Sequence, residues 1–434
     1  MQKEKCVLVF LYKESETPSA ERRIHEFRSI VESSGGEVCA VVVQKKEHWD
    51  ARTLIGKGKV REIQDFIEAN AVDLVIFEAA LTGAQRKNLM EIITAKVLDR
   101  NDLILDIFAQ RARTKRSKLN VSLAQLEYRL PRLKGYGDSL SRTGGGIGTR
   151  GPGEQKIETD RRAILSRISA IRRQLREIEK TEETASGQRR RSGIPTVSLV
   201  GYTNVGKSTI LNALVRKYGE KTKEVYADDR LFATLDIHTR RIHQAAEGEY
   251  LLTDTIGFIY DLPKKLTDAF RTTLDEARQS SLLLVVLDAS DQNLEKQRQT
   301  VLTQLAEMAD IPKLFIYNKM DQRAAPIAPD LEPWIAITAQ NDDDIFRLQE
   351  KILEILYGPV VEEKRWIPYA GSEIIQYLHR WGRVTDQETD EKGNSVGFRI
   401  RKKLIPKVFQ EDEDTRIRPD AAPSAKTAKR AEKR

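Results

Sequence analysis

The sequence has 434 residues, 73 Lys and Arg against 65 Asp and Glu, and a formal net charge of +8. That length allows two to four domains, and 40% hydrophobic with 32% charged residues fits a soluble, helix-rich chain. No apolar run approaches the roughly 18 residues of a membrane helix, and MQKEKCVLVFLYKESE lacks the apolar core and small-residue cleavage site of a secretory leader. A cytoplasmic location is therefore expected, with peripheral membrane association left open. Cys6 and Cys39 lie in strand-like apolar runs and are expected to be reduced core residues. His25, His48, His238, His243 and His379 show no metal-ligand spacing and are expected to be structural.

In residues 1–110, CVLVFLY, EVCAVVV and VDLVIF predict strands, and ERRIHEFRSIVESSG, GKVREIQDFIEAN and AQRKNLMEIITAK predict helices. This alternation predicts an N-terminal α/β domain. Gly35-Gly36 is placed to end the first helix. Residues 111–190 become helical. Leu119, Leu123, Leu126, Leu130 and Leu133 repeat at 4-3-4-3 spacing, and Ile157, Ile164, Ile168, Ile171, Leu175 and Ile178 continue the phase. Two narrow seams flanking one loop predict an antiparallel helical hairpin whose helices pack on each other and project. Pro131 is expected to fray the first helix near its end. From Arg111 to Arg162 thirteen Lys and Arg stand against five Asp and Glu, a local +8 that favours a polyanionic partner. The segment 182–193, EETASGQRRRSG, is polar and predicts a linker. Residues 191–357 again alternate strand and helix patterns. Residues 358–409 suggest a small α+β domain with a helix in AGSEIIQYLHRWG, a turn at EKGN and a strand in SVGFRIRKKL. The charged, Ala/Lys-rich tail 410–434 is expected to be disordered.

Chemistry concentrates in the third domain. Gly201–Ser208 spell GYTNVGKS, which is G-x-x-x-x-G-K-S between the strand TVSLV and the helix TILNALVRKYG. That context marks a phosphate-binding loop. Backbone N–H groups of Gly201, Tyr202, Thr203, Asn204, Val205, Gly206, Lys207, Ser208 and Thr209 can wrap a phosphate chain, aided by the positive end of the helix. Lys207 supplies a point charge to the β- and γ-phosphates, and Ser208 offers a hydroxyl to Mg²⁺. Asp254 is placed to hold Mg²⁺ through water, and in Asp254-Thr255-Ile256-Gly257 the Gly257 N–H can sense the γ-phosphate. In LFATLD, Phe232 is a nucleotide-binding candidate, and Thr234 is the switch threonine for Mg²⁺ and phosphate. Lys207, Thr234 and Gly257 are the catalytic candidates. Asn318-Lys319-Met320-Asp321 suggests guanine selection, because one carboxylate accepts from both N1–H and N2–H₂ of guanine. Thr338-Ala339-Gln340 offers backbone N–H groups for guanine O6. All five elements in order indicate a GTP-binding P-loop domain that cycles between GTP and GDP. Asn204 could help hold K⁺ beside the phosphates.

The remaining motif is GGGIGTRGPGE, Gly144–Glu154. It follows a helix and has no Gly-Lys-Ser/Thr ending, so it is not expected to be a second phosphate loop. Its glycines permit close approach to a crowded surface. Arg142 and Arg150 can grip phosphates bidentately, which makes Arg142, Gly144, Gly145, Gly146, Thr149 and Arg150 candidates for RNA contact. Glu154 and Glu158 complement the start of the next helix.

GGGIGTRGPGE, then IETDRR, the phosphate loop, LFATLD, DTIGF and NKMD resemble the HflX family of ribosome-associated GTPases in the Obg–HflX group. LIGKGKVREI, DLILDIFAQRA and GSEIIQYLHRWG extend the resemblance over roughly residues 5–405. It implies four parts: N-terminal α/β domain, helical hairpin, GTPase domain and small C-terminal domain. It also implies binding to the large ribosomal subunit, with the glycine loop approaching rRNA of the peptidyl transferase region, and a role in splitting or rescuing stalled ribosomes under stress. The free protein is expected to be a monomer. The family's N-terminal domain is associated with an ATP-linked activity, yet no second phosphate loop is evident, and Gly56-Lys57-Gly58-Lys59 is better explained as a basic turn. The sequence departs from the family pattern at Arg116 and Ser122, where acidic residues are common, in GEQKIETDRR, and at Ile237-His238 in place of Pro-Thr. The first two changes make the hairpin more basic, and the third bears on switch closure. An alternative reading is a GTP-dependent regulator whose hairpin binds a protein partner.

Overall fold

The computed structural model describes residues 3–133, 152–191, 193–219, 238–254, 277–291, 294–323, 331–406 and 409. These fall into two compact units, one ending at Arg189 and one comprising the described residues beyond it. Among the described residues no helix is long and apolar enough to cross a membrane.

The first unit is built on a parallel sheet in the order β2-β1-β3-β4. Its strands are β1 (Glu4–Tyr12), β2 (Gly36–Lys45), β3 (Leu74–Phe77) and β4 (Lys96–Asp99). The central strand β1 carries an unbroken apolar run because both its faces are covered. Cys6, Leu8 and Phe10 pack with Phe27, Ile30 and Val31 of α1 (Thr17–Ser33). Val7, Val9 and Leu11 pack with Val60, Ile63 and Ile67 of α2 (Lys57–Asn70) and with Leu89 of α3 (Gly83–Met90). Cys6 is buried and burial pushes its thiol up to about 12, but Cys39 is exposed on the edge strand β2, so only one of the two cysteines is a core residue.

Three further sequence expectations are corrected in this unit. The helix anticipated through AQRKNLMEIITAK stops at Met90, and a fourth strand, β4, begins at Lys96. At four residues β4 is too short to announce itself by period. Second, α5 (Lys115–Arg129) is not simply half of a projecting pair. Its Val121 and Ala124 join the core formed by Phe108 of α4 (Arg100–Arg111) and the sheet, while Leu119, Leu123 and Leu126 pack on Ile164, Ile168, Ile171 and Leu175 of α6 (Pro152–Arg191). The helix therefore has two apolar stripes, of which the heptad count shows one. Third, α6 runs through most of the expected linker to Arg191. Glu, Ala, Gln and Arg sustain it, and Gly187 alone costs only about 1 kcal/mol; Gly193, at φ +72°, lies just beyond its end. Pro131 behaves as anticipated, with α5 giving way to a 3₁₀ turn at Leu130–Arg132. Most of the glycine loop, including Arg142, Gly144, Gly145, Gly146, Thr149 and Arg150, lies outside the described residues, and its last three residues, Pro152–Glu154, open α6.

The second unit holds a six-stranded sheet in the order β10-β9-β8-β5-β7-β6. Its strands are β5 (Thr196–Gly201), β6 (His238–Gln244), β7 (Gly248–Asp254), β8 (Leu282–Asp288), β9 (Lys313–Asn318) and β10 (Trp334–Ala336). Only β6, at the edge, is antiparallel to its neighbour. Helices α7 (Lys207–Tyr218), α8 (Leu294–Gln304) and α9 (Asp342–Tyr357) belong to this unit. The C-terminal part is a three-stranded antiparallel sheet, β11-β13-β12, carrying α10 (Ser372–Trp381). The helix was legible. Two of the strands, β11 (Val360–Pro368) and β12 (Gly382–Thr389), were not, because charged residues fill their open faces. β13 (Gly393–Arg401) ends before Lys402–Leu404, which form a 3₁₀ turn instead of continuing the strand.

Candidate nucleotide site

The site lies where the parallel strands β5, β7, β8 and β9 end, the usual place for a ligand in such sheets. β5 delivers Gly201 beside β8. Gly201 takes φ +150°, and a Cβ there would strike the Val286 carbonyl. Five residues on, Gly206 at φ +92° forms the N-cap of α7, and a Cβ would strike the Asn318 amide. Both glycines are therefore required by close approach as well as by backbone sign. Asn204 also adopts a left-handed conformation, φ 63°, with its side chain exposed.

Lys207 opens α7 and is buried, donating to the carbonyls of Gly201 at 3.1 Å and Tyr202 at 2.6 Å. Burial pushes its ammonium down to about 8, opposed by the negative charge of Asp254. The Ser208 hydroxyl donates to Asp254 Oδ2 at 2.8 Å. Strand β7 thus brings its terminal carboxylate, fully buried, against the hydroxyl of the phosphate loop. Hard oxygen donors so paired suit Mg²⁺.

The base-reading elements meet the same loop. Asn318 is buried. Its Nδ2 donates to the Val205 carbonyl at 2.9 Å, and its Oδ1 accepts from the Ala339 N–H at 3.1 Å. Lys319, at φ 63°, reaches the Asn204 carbonyl at 2.8 Å and Asp288 Oδ2 at 2.7 Å. Asp321 is exposed and accepts weakly from the Thr338 hydroxyl at 3.4 Å. The Thr338 N–H donates to Asp344 Oδ2 at 2.8 Å. Two of the backbone N–H groups expected to face guanine O6 are thus engaged within the protein, and Gln340 is exposed.

The structure therefore gathers Gly201–Thr209, Asp254, Asn318, Lys319, Asp321 and Thr338–Gln340 at one edge. Phe232, Thr234, Thr255, Gly257 and Phe258 lie outside the described residues. Sequence reasoning passed over Asp288 and Asp344. Asp288 could have been found as the carboxylate closing the apolar run LLLVVLD, at the same strand end as its neighbours.

Comparison with known proteins agrees with this geometry. Residues 21–109 match the family described as GTP-binding GTPase N-terminal, and residues 111–189 match the GTP-binding GTPase middle region. Residues 196–319 match the family described as 50S ribosome-binding GTPase. The chain is 42% identical over 397 residues to GTPase HflX of Caldanaerobacter subterraneus subsp. tengcongensis, covering 91% of this chain and 90% of that one. It is 38% identical over 415 residues to GTPase HflX of Escherichia coli strain K12, covering 93% and 94%. The phosphate loop, its buried lysine and the Asn-Lys-x-Asp cluster accordingly belong to an enzyme that binds and hydrolyses GTP, and the chain is a member of the HflX family of GTPases.

Proposed function

We propose that this GTPase acts on the large ribosomal subunit and its rRNA, using GTP binding and turnover to split or rescue ribosomes stalled under stress. The observation that supports this most is the match of residues 196–319 to a ribosome-binding GTPase family. It stands beside a basic, glycine-rich segment that carries no nucleotide motif. In this reading the nucleotide lies across the strand ends with Lys207 against the β- and γ-phosphates and Asp321 on the guanine edge. Ser208 and Thr234 would hold Mg²⁺, and Asp254 would do so through water. When bound, the ion neutralises charge on the phosphate oxygens. Asn204 would help hold K⁺ at the loop. Arg142, Thr149 and Arg150, with Gly144–Gly146, would meet rRNA.

Phe258 follows the Asp-x-x-Gly element, where a water-orienting glutamine is common, and phenylalanine cannot hydrogen-bond water. Hydrolysis by the free protein is then slow, and the ribosome completes the site; such completion is worth about 10³–10⁵ in rate in other GTPases. Cosedimentation tests the reading. Pelleting with large subunits should be strongest with a non-hydrolysable GTP analogue, weaker with GDP, and should fall steeply with salt. Pelleting that ignores both nucleotide and salt would argue for a protein partner instead.

A further inference from the structure

The hairpin of β6 and β7 occupies a singular place in the second unit. The switch candidates Phe232 and Thr234 precede β6 in the chain, and β7 ends on Asp254, whose carboxylate meets Ser208. The described end of the hairpin is therefore tied to the nucleotide site through Asp254. Its seven-residue strands run in register from His238↔Asp254 to Gln244↔Gly248, which carries the turn about 20 Å from that end. Among the described residues β6 is the sheet edge, paired along its length with β7 and bridged at Ile242 to Gly219.

That distant turn is gripped from outside the hairpin. Arg401, the last residue of β13, is 3% exposed. Its Nε donates to Glu247 in the turn at 2.8 Å, and its Nη2 donates to Glu350 of α9 at 2.7 Å. Glu350 in turn accepts from Gln244 at 3.3 Å. Tyr357, at the end of α9, donates to the Glu249 carbonyl. Its ring lies against Gly248, at φ +134°, where a Cβ would come within 2.7 Å. Tyr250 donates to the fully buried Gln349 at 2.7 Å. Of these contacts only Arg401 comes from the C-terminal sheet. A buried guanidinium forked between two carboxylates on separate elements is strongly directional, and it tolerates little sliding of one carboxylate against the other.

We propose that Arg401 is a positioning residue that couples the C-terminal domain to the nucleotide state through Glu247. In this proposal, exchange of GDP for GTP shifts β7 through Asp254 and with it the turn against α9. Arg401 converts that change into strain or relief in β13. By reciprocity, whatever holds the C-terminal domain in one arrangement biases the site towards one nucleotide. The inference rests on the GTPase activity of the chain and not on its ribosomal partner, so the free full-length protein is sufficient to test it.

The experiment compares wild type with Glu247→Gln, Arg401→Lys and Arg401→Gln. Each is measured by hydrogen exchange in GDP and in a non-hydrolysable GTP analogue, and by the ratio of affinities for the two nucleotides. Glu247→Gln keeps the Arg401–Glu350 pair, so it remains informative if loss of Arg401 unfolds the domain. In wild type, amides of residues 393–401 should exchange differently in the two nucleotides. In Glu247→Gln and Arg401→Gln that difference should vanish while protection of 201–210 by nucleotide persists, and the affinity ratio should shift by about five-fold or more. Arg401→Lys, which cannot fork, should fall between. A merely structural contact would lower melting temperature without moving the ratio. Wild-type amides indifferent to nucleotide, or variants with an unchanged ratio, would overturn the proposal.

Discussion

At the carboxyl end of the first sheet, Asp99 is fully buried and accepts from the Tyr128 hydroxyl at 2.8 Å, the Leu81 N–H at 2.9 Å and the Arg132 guanidinium. Arg132 also reaches Asp102 at 3.2 Å and the Leu81 carbonyl at 3.0 Å, and Arg86 meets Asp102 at 2.8 Å. At the carboxyl end of the second sheet, Lys207 and Asp254 are just as interior, and with the half-buried Ser208 they stand at the phosphate-loop motif Gly201–Ser208. Both are ionic clusters at the ends of parallel strands, where ligands commonly bind. In the first cluster the cations come from the same unit, Arg86 from α3 and Arg132 from the 3₁₀ turn after α5, and the charges cancel internally. That cluster fastens the end of α5 to the sheet just before the glycine loop. In the second, the lysine's hydrogen-bond partners among the described residues are two carbonyls, with the Asp254 charge nearby, and burial lowers its pKa. Interior charge at a strand end therefore marks a site only when the protein does not already complete it.

The largest effect that sharpens this contrast is expected from Asp99→Ala. Removing the carboxylate leaves Arg132 buried without its main partner, a change that costs about 3–5 kcal/mol. Chemical denaturation should show that loss, while GTP affinity of the folded fraction stays unchanged. A variant that kept its stability and lost nucleotide would make the first cluster the functional one. Next in size is Asp321→Asn. Guanine loses a charge-assisted acceptor worth about 1.5–3 kcal/mol, and xanthine, with a carbonyl in place of the amine, should gain. Competition between GTP and XTP reads this out, and an undiminished preference for GTP would mean that another group reads the base.

A smaller effect concerns protons. Burial lowers the Lys207 ammonium to about 8, so above that pH the free protein holds it largely neutral. Phosphate oxygens favour the charged form. GTP binding should therefore take up a proton, approaching one between pH 8 and 10.5 and falling to near zero at neutral pH. The same depression makes the nucleotide-free protein gain stability with rising pH across that window, because the unfolded lysine there binds more protons. Calorimetry in buffers of different ionisation enthalpy measures the uptake; none at pH 9 would contradict the geometry at Lys207.

The nucleotide site was legible because its spacing is dictated by a ligand. Gly201, Gly206, Lys207 and Ser208 are adjacent in the chain, and Asn318–Asp321 sit together at one strand end. Asp288 is locally visible as the end of an apolar run, but its pairing with Lys319, thirty-one positions away, is not. The same reason hid the Asp99–Arg132 cluster and the Arg401 fork. Helices were found from their apolar stripes, but a stripe shows one face at a time. The second face of α5, Val121 and Ala124, became visible only with the sheet beside it. Strand β4 and the charged strands β11 and β12 lacked the length or alternation that sequence reading relies on.

The central claim is that the nucleotide site and the glycine loop do separate work, one on GTP and the other on the ribosome. Shortening Gly144–Gly153 and measuring GTP hydrolysis with and without large ribosomal subunits tests it directly. The account predicts that the shortened protein binds GTP within a few-fold of wild type when free, and that ribosomal stimulation collapses. A shortened protein that lost GTP binding in isolation while still pelleting with subunits would make the loop part of the nucleotide site and contradict the account.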